Sequence, residues 1–362
     1  MSLDKKHSLA AAIRDLAIGS NYRPGSRLPS RAQLEQRFRV SSVTLQRAMD
    51  IVIAEGFVET LGRLGTVLAQ HPPHLFHYGL LLPSRPQPGA HWPRSWSSLA
   101  AAAEALLNRR PDRLAVFHLD ELRASRAKYR SFRETLTGHR LAGLVCTIVP
   151  PAELQALLAE TSTPVPTVAY GECDFPGVAG IRGRHDERHP YNGGLDYLAR
   201  RGRRRLGLLL YSHLLEQPAG EAWLRGLVEA RGFHSPRRWW LTLQAGVRQG
   251  ARNAAELLFA QREPPDALLV SDDNAVPEIL AGIQAAGRRV PQDVDVVVCG
   301  NFPWPEVYAA PIKRVGISME QFVARARDYI LACRRGEPAV APIPLDSFSD
   351  LDFVSQTATA AP

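Results

Sequence analysis

Residues 30–56 read SRAQLEQRFRVSSVTLQRAMDIVIAEG, and this stretch decides the organisation of the N-terminal part of the chain. Ser30, with Gln33 three residues later, predicts a capping box at the start of a helix. The segment Val40–Ser42 interrupts that helix and begins a second one, which Gly56 ends at the C′ position. The apolar face of the second helix consists of Leu45, Ala48, Met49 and Val52. Two short helices joined by a tight turn predict a helix-turn-helix.

The residues on either side complete a small domain. Upstream, apolar residues recur at helical spacing and predict a further helix, with Leu9, Ile13, Leu16 and Ala17 on one face. Downstream, 57–59 and 66–68 read as paired strands around a glycine-rich tip at 62–65. A hairpin in this place is a wing, able to approach the minor groove of DNA.

Polar residues occur at the start of the second helix, at the cap of the first helix and in the wing. The N-terminal, outward side of a recognition helix is the part that meets base edges in the major groove. Arg31 and Arg47 can each reach a guanine or a phosphate, and both alternatives stay open. The candidate DNA-binding residues are Ser30, Arg31, Ser41, Ser42, Thr44, Gln46, Arg47, Arg63, Gly65 and Thr66.

Positive charge is concentrated in the same part of the chain. The formal net charge is +8, and residues 1–70 contribute half of it, with 10 Lys/Arg and 6 Asp/Glu. A dense basic segment is typical of proteins that bind the phosphate backbone, although a solubilising surface has the same composition.

These residues resemble the GntR family of winged-helix regulators over nearly all of 8–69. The family usually has arginine where Ala32, Ser42 and Gln46 stand, and Arg31 and Arg47 lie one residue away from expected positions. The resemblance implies a DNA-binding domain that acts as a dimer on a palindromic operator. The motifs that carry it are Pro24-Gly25-Ser26-Arg27-Leu28-Pro29-Ser30, Leu34, Val40-Ser41, Thr44, Ala48, Glu55-Gly56 and Gly65-Thr66.

Residues 71–77 read HPPHLFH and are interpreted as a linker. Its paired prolines predict an extended, polyproline-like path. Three histidines spaced by three suggest a metal site only weakly, and no metal is predicted.

From residue 78 onward, short apolar runs alternate with helical patterns. Such alternation predicts parallel sheets that are covered by helices on both faces, in two α/β lobes. The predicted strands are 78–82, 114–118, 143–148, 167–169, 206–211, 267–271 and 294–299. The predicted helices are 99–107, 151–160, 191–200, 222–230, 254–259 and 276–286.

This large region resembles the periplasmic-binding-protein-like effector domain of LacI-type repressors, most strongly over 190–300. The resemblance rests on 264–273 (PPDALLVSDD), Gly287, Val290-Pro291, Asp293-Val294, Val296–Val298, Arg201-Gly202, Arg204–Leu206 and Leu80–Pro83. The hinge helix of true LacI proteins has no counterpart. The expected fold is therefore an α+β winged helix-turn-helix at 1–70 joined to a two-lobed α/β domain at 78–350, with a tail at 351–362. Lobe one is expected to take 78–185 and 302–335, and lobe two 186–301 and 336–350.

The LacI resemblance also implies an effector site in the cleft between lobes. It puts Asp273 there, as a carboxylate that accepts hydrogen bonds from ligand hydroxyls, with Asp186 and Asn301 as further candidates. Capping of the next helix is the alternative role for Asp273 and its neighbour. Trp223 stands where many relatives have a ligand-binding arginine, so an uncharged effector is favoured. Trp223 either stacks on a pyranose ring or packs in the core, and Trp304 is a further candidate.

No catalytic constellation is recognised, and we expect neither an enzyme nor a cofactor. A pyridoxal phosphate domain needs a Schiff-base lysine in a cofactor motif, and the four lysines offer none. The order of His185-Asp186-Glu187-Arg188-His189 does not match a metallohydrolase signature. Four scattered cysteines, no apolar run long enough for a membrane span and no apolar leader indicate a cytoplasmic protein.

The sequence therefore predicts a homodimeric transcriptional repressor of carbohydrate-use genes, whose binding to double-stranded operator DNA responds to a small neutral, sugar-like effector. The alternative is a constitutive DNA-binding regulator whose large domain serves dimerisation only. A solute-binding protein is disfavoured by the helix-turn-helix.

Overall fold

The computed structural model describes residues 2–19, 22–87, 92–159, 164–171, 178–182, 189–211, 215, 218–243, 248–303, 308, 310–339, 341 and 343–349. The chain forms two compact units. Unit 1 consists of 1–85, 103–181 and 323–343, and unit 2 of 86–102, 182–322 and 344–362.

Unit 1 begins with a winged helix-turn-helix. Its elements are α1 (Ser2–Gly19), α2 (Arg31–Phe38), α3 (Ser42–Ala54), β1 (Val58–Thr60) and β2 (Thr66–Leu68). The two strands pair antiparallel, with Thr60 opposite Thr66. The predicted hairpin and the predicted order of elements are confirmed.

The ends of these helices form for the local reasons that the sequence indicates. The Ser30 N–H donates to Gln33 Oε1 at 2.8 Å, while Ser30 Oγ accepts from the Gln33 N–H, which completes the capping box. Gly56 follows the C-terminal cap of α3 with φ +77°. This left-handed conformation is open to glycine at little steric cost, so the chain turns there into the wing.

The apolar faces of α1 and α3 meet in one core. All eight residues that the sequence assigns to these faces are at most 7 % exposed. Burying one such leucine or methionine contributes about 1.5–3 kcal/mol, so this core holds the three helices in their arrangement. Its central residues are Leu9, Ile13, Leu16, Ala17, Leu45, Ala48, Met49 and Val52.

The segment after the wing is not the extended linker that its prolines predict. Pro73–Phe76 forms one helical turn, α4, with Pro72 at its cap, and the next strand begins at His77. A proline suits the first position of a helix, because its missing N–H would have no helical partner there. His74 is buried and stacks on Phe57, with ring centroids 5.8 Å apart. The prediction of a polyproline-like path was wrong.

The rest of unit 1 is a mainly parallel sheet with helices. The strands are β3 (His77–Leu82), β4 (Arg113–His118), β5 (Gly143–Cys146), β6 (Thr167–Ala169), β7 (Val178–Arg182) and β13 (Ile343–Pro344). They lie in the order β13-β7-β6-β5-β3-β4, and β3 to β7 pair in parallel. The helices are α6 (Leu119–Ala124), α7 (Arg126–Thr137) and α8 (Ala152–Ala159). Helix α5 (Arg94–Leu107) continues into this unit from unit 2.

Unit 2 contains a second sheet of six strands, in the order β14-β12-β11-β10-β8-β9. The strands are β8 (Leu206–Tyr211), β9 (Trp240–Leu243), β10 (Ala267–Val270), β11 (Asp295–Phe302), β12 (Lys313–Ser318) and β14 (Ser347–Ser349). All pair in parallel except β14, which runs antiparallel to β12. The carboxyl ends of β8, β10 and β11 therefore share one edge, where ligands of such sheets bind.

The helices of unit 2 flank this sheet. They are α9 (Pro190–Arg200), α10 (Pro218–Glu229), α11 (Arg248–Phe259) and α12 (Val276–Ala285), followed by α13 (Met319–Arg335), which continues into unit 1. Every strand and helix predicted in the large region is found, with shifted ends. The predicted limits of the two lobes stay a prediction, since the units are defined by contacts and assign 86–102 and 302–322 to unit 2.

In the part of the chain that the structure describes, every helix falls short of the length and hydropathy that a membrane span combines.

Close packing of α11 on α12 gives a prediction about stability. A Cβ on Gly282 would lie 2.3 Å from the Arg252 carbonyl oxygen, whereas a Cβ on Gly226 of α10 would meet nothing within 4 Å. We expect Gly282→Ala to lower the free energy of unfolding by about 1–3 kcal/mol, because the helices must separate. Gly226→Ala should raise it by up to about 1 kcal/mol, since alanine favours a helix. Urea unfolding of both variants measures the difference, and equal stabilities would contradict it.

Candidate functional site

The first turns of α3 present polar side chains on the side opposite the core. Ser41 caps the helix by accepting from the Thr44 N–H, and its Oγ lies 3.0 Å from Thr44 Oγ1. Ser41, Ser42 and Arg47 are exposed, and Thr44 and Gln46 are half-buried. This is the face that a recognition helix turns toward the major groove.

Gln46 links the two helices of the helix-turn-helix. Arg31, the first residue of α2, donates from Nη1 to Gln46 Oε1. Gln46 Nε2 in turn donates to Asp50 Oδ1 at 2.6 Å. The sequence predicts Arg31 and Gln46 as separate DNA-binding residues, and the fold brings their side chains into contact. Ser30, beside Arg31, is exposed and occupied by its capping role.

The wing turns through a short 3-10 segment, Gly62–Leu64, and then through Gly65. Gly65 has φ +80° and ψ −148°, a conformation that is almost restricted to glycine. Gly65 and Thr66 are half-buried, and the side chain of Arg63 lies outside the described residues. The Leu64 side chain is 62 % exposed, which puts an apolar group at the tip.

Val43 on α3 is a surface residue that the sequence analysis missed. Its side chain is 59 % exposed, although a β-branched apolar residue normally faces a core. The signal was available, because the helical period of Leu45, Ala48, Met49 and Val52 leaves position 43 outside the buried face. An exposed valine on a recognition helix is suited to contact a thymine methyl group.

Behind α3, the DNA-binding domain contacts the first α/β sheet through Glu55. Glu55 Oε2 accepts from Arg14 Nη1 of α1 at 2.8 Å, and Glu55 Oε1 accepts from Arg140 Nη2 at 2.5 Å. The Arg14 and Glu55 side chains are only 11 % and 14 % exposed. Arg140 belongs to residues 138–142, which we call the docking loop. The Arg140 side chain is 43 % exposed, so the buried Arg14–Glu55 pair is the one that is costly to break, and Arg140 adds a weaker contact to the same carboxylate.

The docking loop is also held from its other side. His139 Nε2 lies 3.4 Å from Asp15 Oδ1 of α1. Arg334 of α13 donates from Nε to the Ala142 carbonyl at 2.7 Å and from Nη2 to the Leu141 carbonyl at 2.8 Å. Helix α13, which continues from unit 2, thus ends on the loop that supports the DNA-binding domain.

Burial keeps the histidines at this contact neutral. Burial, with Arg334 nearby, lowers the pKa of His74 to about 3 and also lowers the pKa of His139. Burial likewise lowers the pKa of Arg334 to about 10, so this side chain stays charged at neutral pH. The charged Arg334 side chain therefore holds the docking loop, and neither His74 nor His139 adds a second positive charge beside it at neutral pH.

In unit 2, two adjacent carboxylates follow β10 and have different roles. Asp272 is the cap of the short 3-10 turn Asp273–Ala275, where its Oδ1 accepts from the Asn274 N–H at 3.0 Å. Asp273 is 5 % exposed, and its Oδ1 accepts from Asn274 Nδ2 at 3.1 Å. The capping role that the sequence left open for both residues thus belongs to Asp272.

The Asp273 carboxyl lies in an unusual electrostatic environment. Burial and the neighbouring Asp272 raise its pKa to about 7, against the opposing effects of Arg94 and of a hydrogen bond from the Asn301 N–H. Asn301, a second predicted site residue, therefore meets Asp273 through its backbone. A perturbed carboxyl at a strand end is a frequent mark of a functional site.

Arg94 was not anticipated from the sequence. Its Nη1 donates to the Asp273 carbonyl at 3.1 Å and to the Tyr308 hydroxyl, and its N–H donates to Asn274 Oδ1 at 3.0 Å. Residues 92 and 96, both tryptophans, flank it with ring centroids 5.2 Å apart. A separation of 179 residues from Asp273 leaves no local pattern that could reveal the contact.

Aromatic rings lie near the same edge of the second sheet. Trp223 is half-buried, and its ring centroid is 6.2 Å from that of Tyr191 and 4.9 Å from that of His189. Trp223 packs against the core of unit 2, as one of its two predicted roles requires. A sugar contact by this side chain stays a prediction.

Tyr191 continues this cluster toward Asp273. Its hydroxyl hydrogen-bonds Ser271, and Ser271 Oγ accepts from the Tyr211 N–H at 2.8 Å. Burial raises the pKa of Tyr191, and burial and Asp273 raise the pKa of Cys299 to about 12. The strand ends therefore carry neutral hydroxyl and thiol groups around one titratable carboxyl. Asp186 and Trp304, the other predicted effector residues, lie outside the described residues.

Solved structures share the fold of this chain. A putative ribose operon repressor from Burkholderia thailandensis is 18 % identical over 75 % of this chain and 98 % of its own, with a TM-score of 0.56. A LacI family regulator from Lactobacillus casei with bound glucose is 18 % identical over 76 % and 97 %, with a TM-score of 0.54. A LacI family regulator from Arthrobacter sp. FB24 in complex with lactose is 14 % identical over 74 % and 94 %, with a TM-score of 0.57.

No curated protein sequence matches the chain. Two family models do. Residues 5–68 match the gntR family of bacterial regulatory proteins, and residues 195–345 match the periplasmic binding protein-like domain. Residues 5–68 are thus a GntR-type helix-turn-helix domain, and residues 195–345 are a periplasmic-binding-protein-like domain.

A chain with these two domains is a DNA-binding transcriptional regulator, and neither matched model describes a family of enzymes. The expected fold class is confirmed for both parts, a winged helix-turn-helix and an α/β domain with parallel sheets. The individual DNA and effector contacts remain predictions.

The raised pKa of Asp273 gives a pH-dependent prediction. The folded pKa of about 7 lies above the ordinary value of 3.8. The contribution of Asp273 to the free energy of unfolding is therefore present at low pH and is lost as the pH rises through 7. We expect Asp273→Asn to gain stability over the wild type between pH 5 and pH 8, by on the order of 1–4 kcal/mol. Melting curves at both pH values measure this gain.

Glu263→Gln, in an exposed loop, is the control and should shift the melting temperature equally at both pH values. A constant difference between Asp273→Asn and the wild type would show that burial does not perturb Asp273.

Proposed function

We propose that this regulator represses genes for carbohydrate use, and that a small neutral, sugar-like effector modulates its binding to a palindromic operator. The supporting observation is the buried Asp273 carboxyl at the carboxyl end of β10, which is not needed as a helix cap because Asp272 has that role. A carboxylate in such a position accepts hydrogen bonds from two hydroxyl groups of a ligand.

The surroundings of Asp273 favour a polyol over other small ligands. Asn274 and Ser271 supply side-chain donors and acceptors on the same strand end. Tyr191 and Trp223 supply ring surface of the kind that packs on the apolar face of a sugar. Convergent polar groups against aromatic walls are the usual composition of small-molecule sites.

The charges at this edge favour an uncharged ligand. Arg94 lies beside Asp273, so the cation and the ionised carboxyl balance each other. Trp223 replaces the arginine that many relatives carry, which removes another cation. A phosphorylated effector would need positive charge beyond what Asp273 already neutralises.

Similar structures are consistent with a carbohydrate effector. The Lactobacillus casei regulator contains glucose, and the Arthrobacter regulator contains lactose. We propose for this chain a ligand of the same class, a carbohydrate, without proposing a particular sugar. The active form is proposed to be a homodimer, as a palindromic operator requires. A constitutive regulator with a large domain used only for dimerisation is the alternative.

The docking loop is the proposed route from effector to DNA. It contacts α1 and the end of α3 through His139 and Arg140, and Arg334 of α13 holds its backbone. An effector that favours one arrangement of this contact changes the operator affinity by its differential affinity for the two arrangements.

The effector assignment is tested by thermal shift of the full-length protein against a panel of neutral, acidic and phosphorylated sugars. A neutral sugar at about 100 times its dissociation constant should stabilise the wild type by roughly 2.7 kcal/mol. Asp273→Ala should lose this shift and keep its operator affinity, whereas the control Glu263→Ala keeps both. A hit that survives Asp273→Ala contradicts the site, and no hit from any sugar favours the constitutive alternative.

The coupling route is tested by Arg140→Ala. This variant should bind operator and effector nearly as the wild type does, because Arg140 belongs neither to the winged helix-turn-helix nor to unit 2. The effector-induced change in operator affinity, typically about 5- to 150-fold, should shrink severalfold. Fluorescence anisotropy with and without the effector found in the panel measures it. Arg126→Ala, exposed on α7, is the control. An unchanged response in Arg140→Ala would exclude this route.

A further inference from the structure

The outward face of α3 has two features that a general DNA-binding role leaves unexplained. Gln46 is engaged at both ends of its amide, and Val43 is an apolar side chain that is 59 % exposed. Val43 lies on the side of the helix opposite the buried residues Leu45 and Met49, and half-buried Gln46 flanks that side.

Gln46 is constrained in a way that limits its use as a base reader. Glutamine recognises adenine with its carbonyl and its amino group together, one accepting from N6 and the other donating to N7. Here Gln46 Oε1 accepts from Arg31, and Gln46 Nε2 donates to Asp50 Oδ1 at 2.6 Å. The amide is therefore oriented by protein partners, and Gln46 acts as a positioning residue.

The group that Gln46 positions is the guanidinium of Arg31. Arg31 is exposed at the first position of α2 and reaches across to α3. Guanidinium has five N–H donors, so the bond from Nη1 leaves a pair of donors free for a second partner. A fixed guanidinium binds O6 and N7 of guanine in the bidentate mode and loses little side-chain entropy in doing so.

Val43 lies beside this pair. Residues three apart on a helix are neighbours on its surface, so Val43 lies next to Gln46, one turn nearer the N-terminus of α3. An apolar side chain at this depth of a recognition helix makes favourable contact with the 5-methyl group of thymine. Arg47 is exposed on the same face, one turn after Val43, and arginine contacts phosphate oxygens more often than base edges.

We propose that Arg31, held by the Gln46–Asp50 relay, reads a guanine in each operator half-site, and that Val43 contacts the methyl group of a nearby thymine. Arg47 contacts a phosphate. The inference rests on the DNA-binding function alone, so it holds or fails independently of the effector.

Selection from a randomised duplex library with the full-length protein gives the half-site. Arg31→Ala should lose preference at one guanine by about tenfold or more, with preferences elsewhere kept. Arg31→Lys should lose most of the same preference, because lysine lacks the bidentate geometry. Gln46→Ala should weaken the preference for that same guanine and should leave the preference for any adenine unchanged. The matched control Arg47→Ala should weaken all sequences alike and reduce the salt dependence.

Base analogues then test the contacts on the selected half-site. Replacing the guanine by 7-deazaguanine removes N7 and should weaken the wild type severalfold, while Arg31→Ala is insensitive to it. Replacing the thymine by uracil removes only the methyl group, and should weaken the wild type but not Val43→Ala. Melting temperatures of all variants confirm that the folded domain is compared.

Four results would overturn the proposal. Loss of affinity for every sequence in Arg31→Ala would make Arg31 a phosphate contact. Loss of an adenine preference in Gln46→Ala would make Gln46 the reader. Equal binding of uracil and thymine by the wild type would remove the role of Val43. A wild type that selects no sequence would exclude base reading altogether, whatever the sugar screen shows.

Discussion

Glu55 carries two arginines at once, and the connection between the DNA-binding domain and the rest of unit 1 depends on it. Arg14 neutralises one of its oxygens from within the winged helix, and Arg140 neutralises the other from the docking loop. A largely buried carboxylate has to be paired, so Glu55 would be left with a buried, unpaired charge if both arginines were removed. Because Glu55 is also the C-terminal cap of α3, the α/β part holds the recognition helix at the end away from DNA.

A similar division of roles is seen where β10 ends. Asp272 satisfies the backbone of the following turn, and Asp273 is left buried with a pKa raised to about 7. A protein that needed only the turn could place an apolar residue at 273 and avoid the cost of burying a carboxyl. A buried acid with a perturbed pKa is a common feature of functional sites, which supports the proposed effector site.

The sequence predicts what is encoded locally. The capping box at Ser30, the apolar stripes of α1 and α3, and the strands of both sheets depend on spacing within a few residues, and they were found. Three of the elements it missed have mixed signals: α7 and α13 are rich in arginine, and β9 begins at Trp240, directly after a turn that contains two arginines and Trp239. The helical turn at Pro73 was not predicted, because paired prolines suit both an extended path and the start of a helix.

The contacts within the two candidate sites were harder to predict from the sequence, for a reason that both sites share. At three positions of the winged helix, and again at Trp223, this chain lacks an arginine that its relatives usually have. In two places a guanidinium comes from elsewhere in the chain: Arg31 from α2 bonds to Gln46, and Arg94 from α5 bonds to the backbone of Asp273. An alignment compares residues at equal positions, whereas a ligand meets whatever charge is nearest in space. The family therefore defines the fold, and only the folded chain shows which arginine stands near each site.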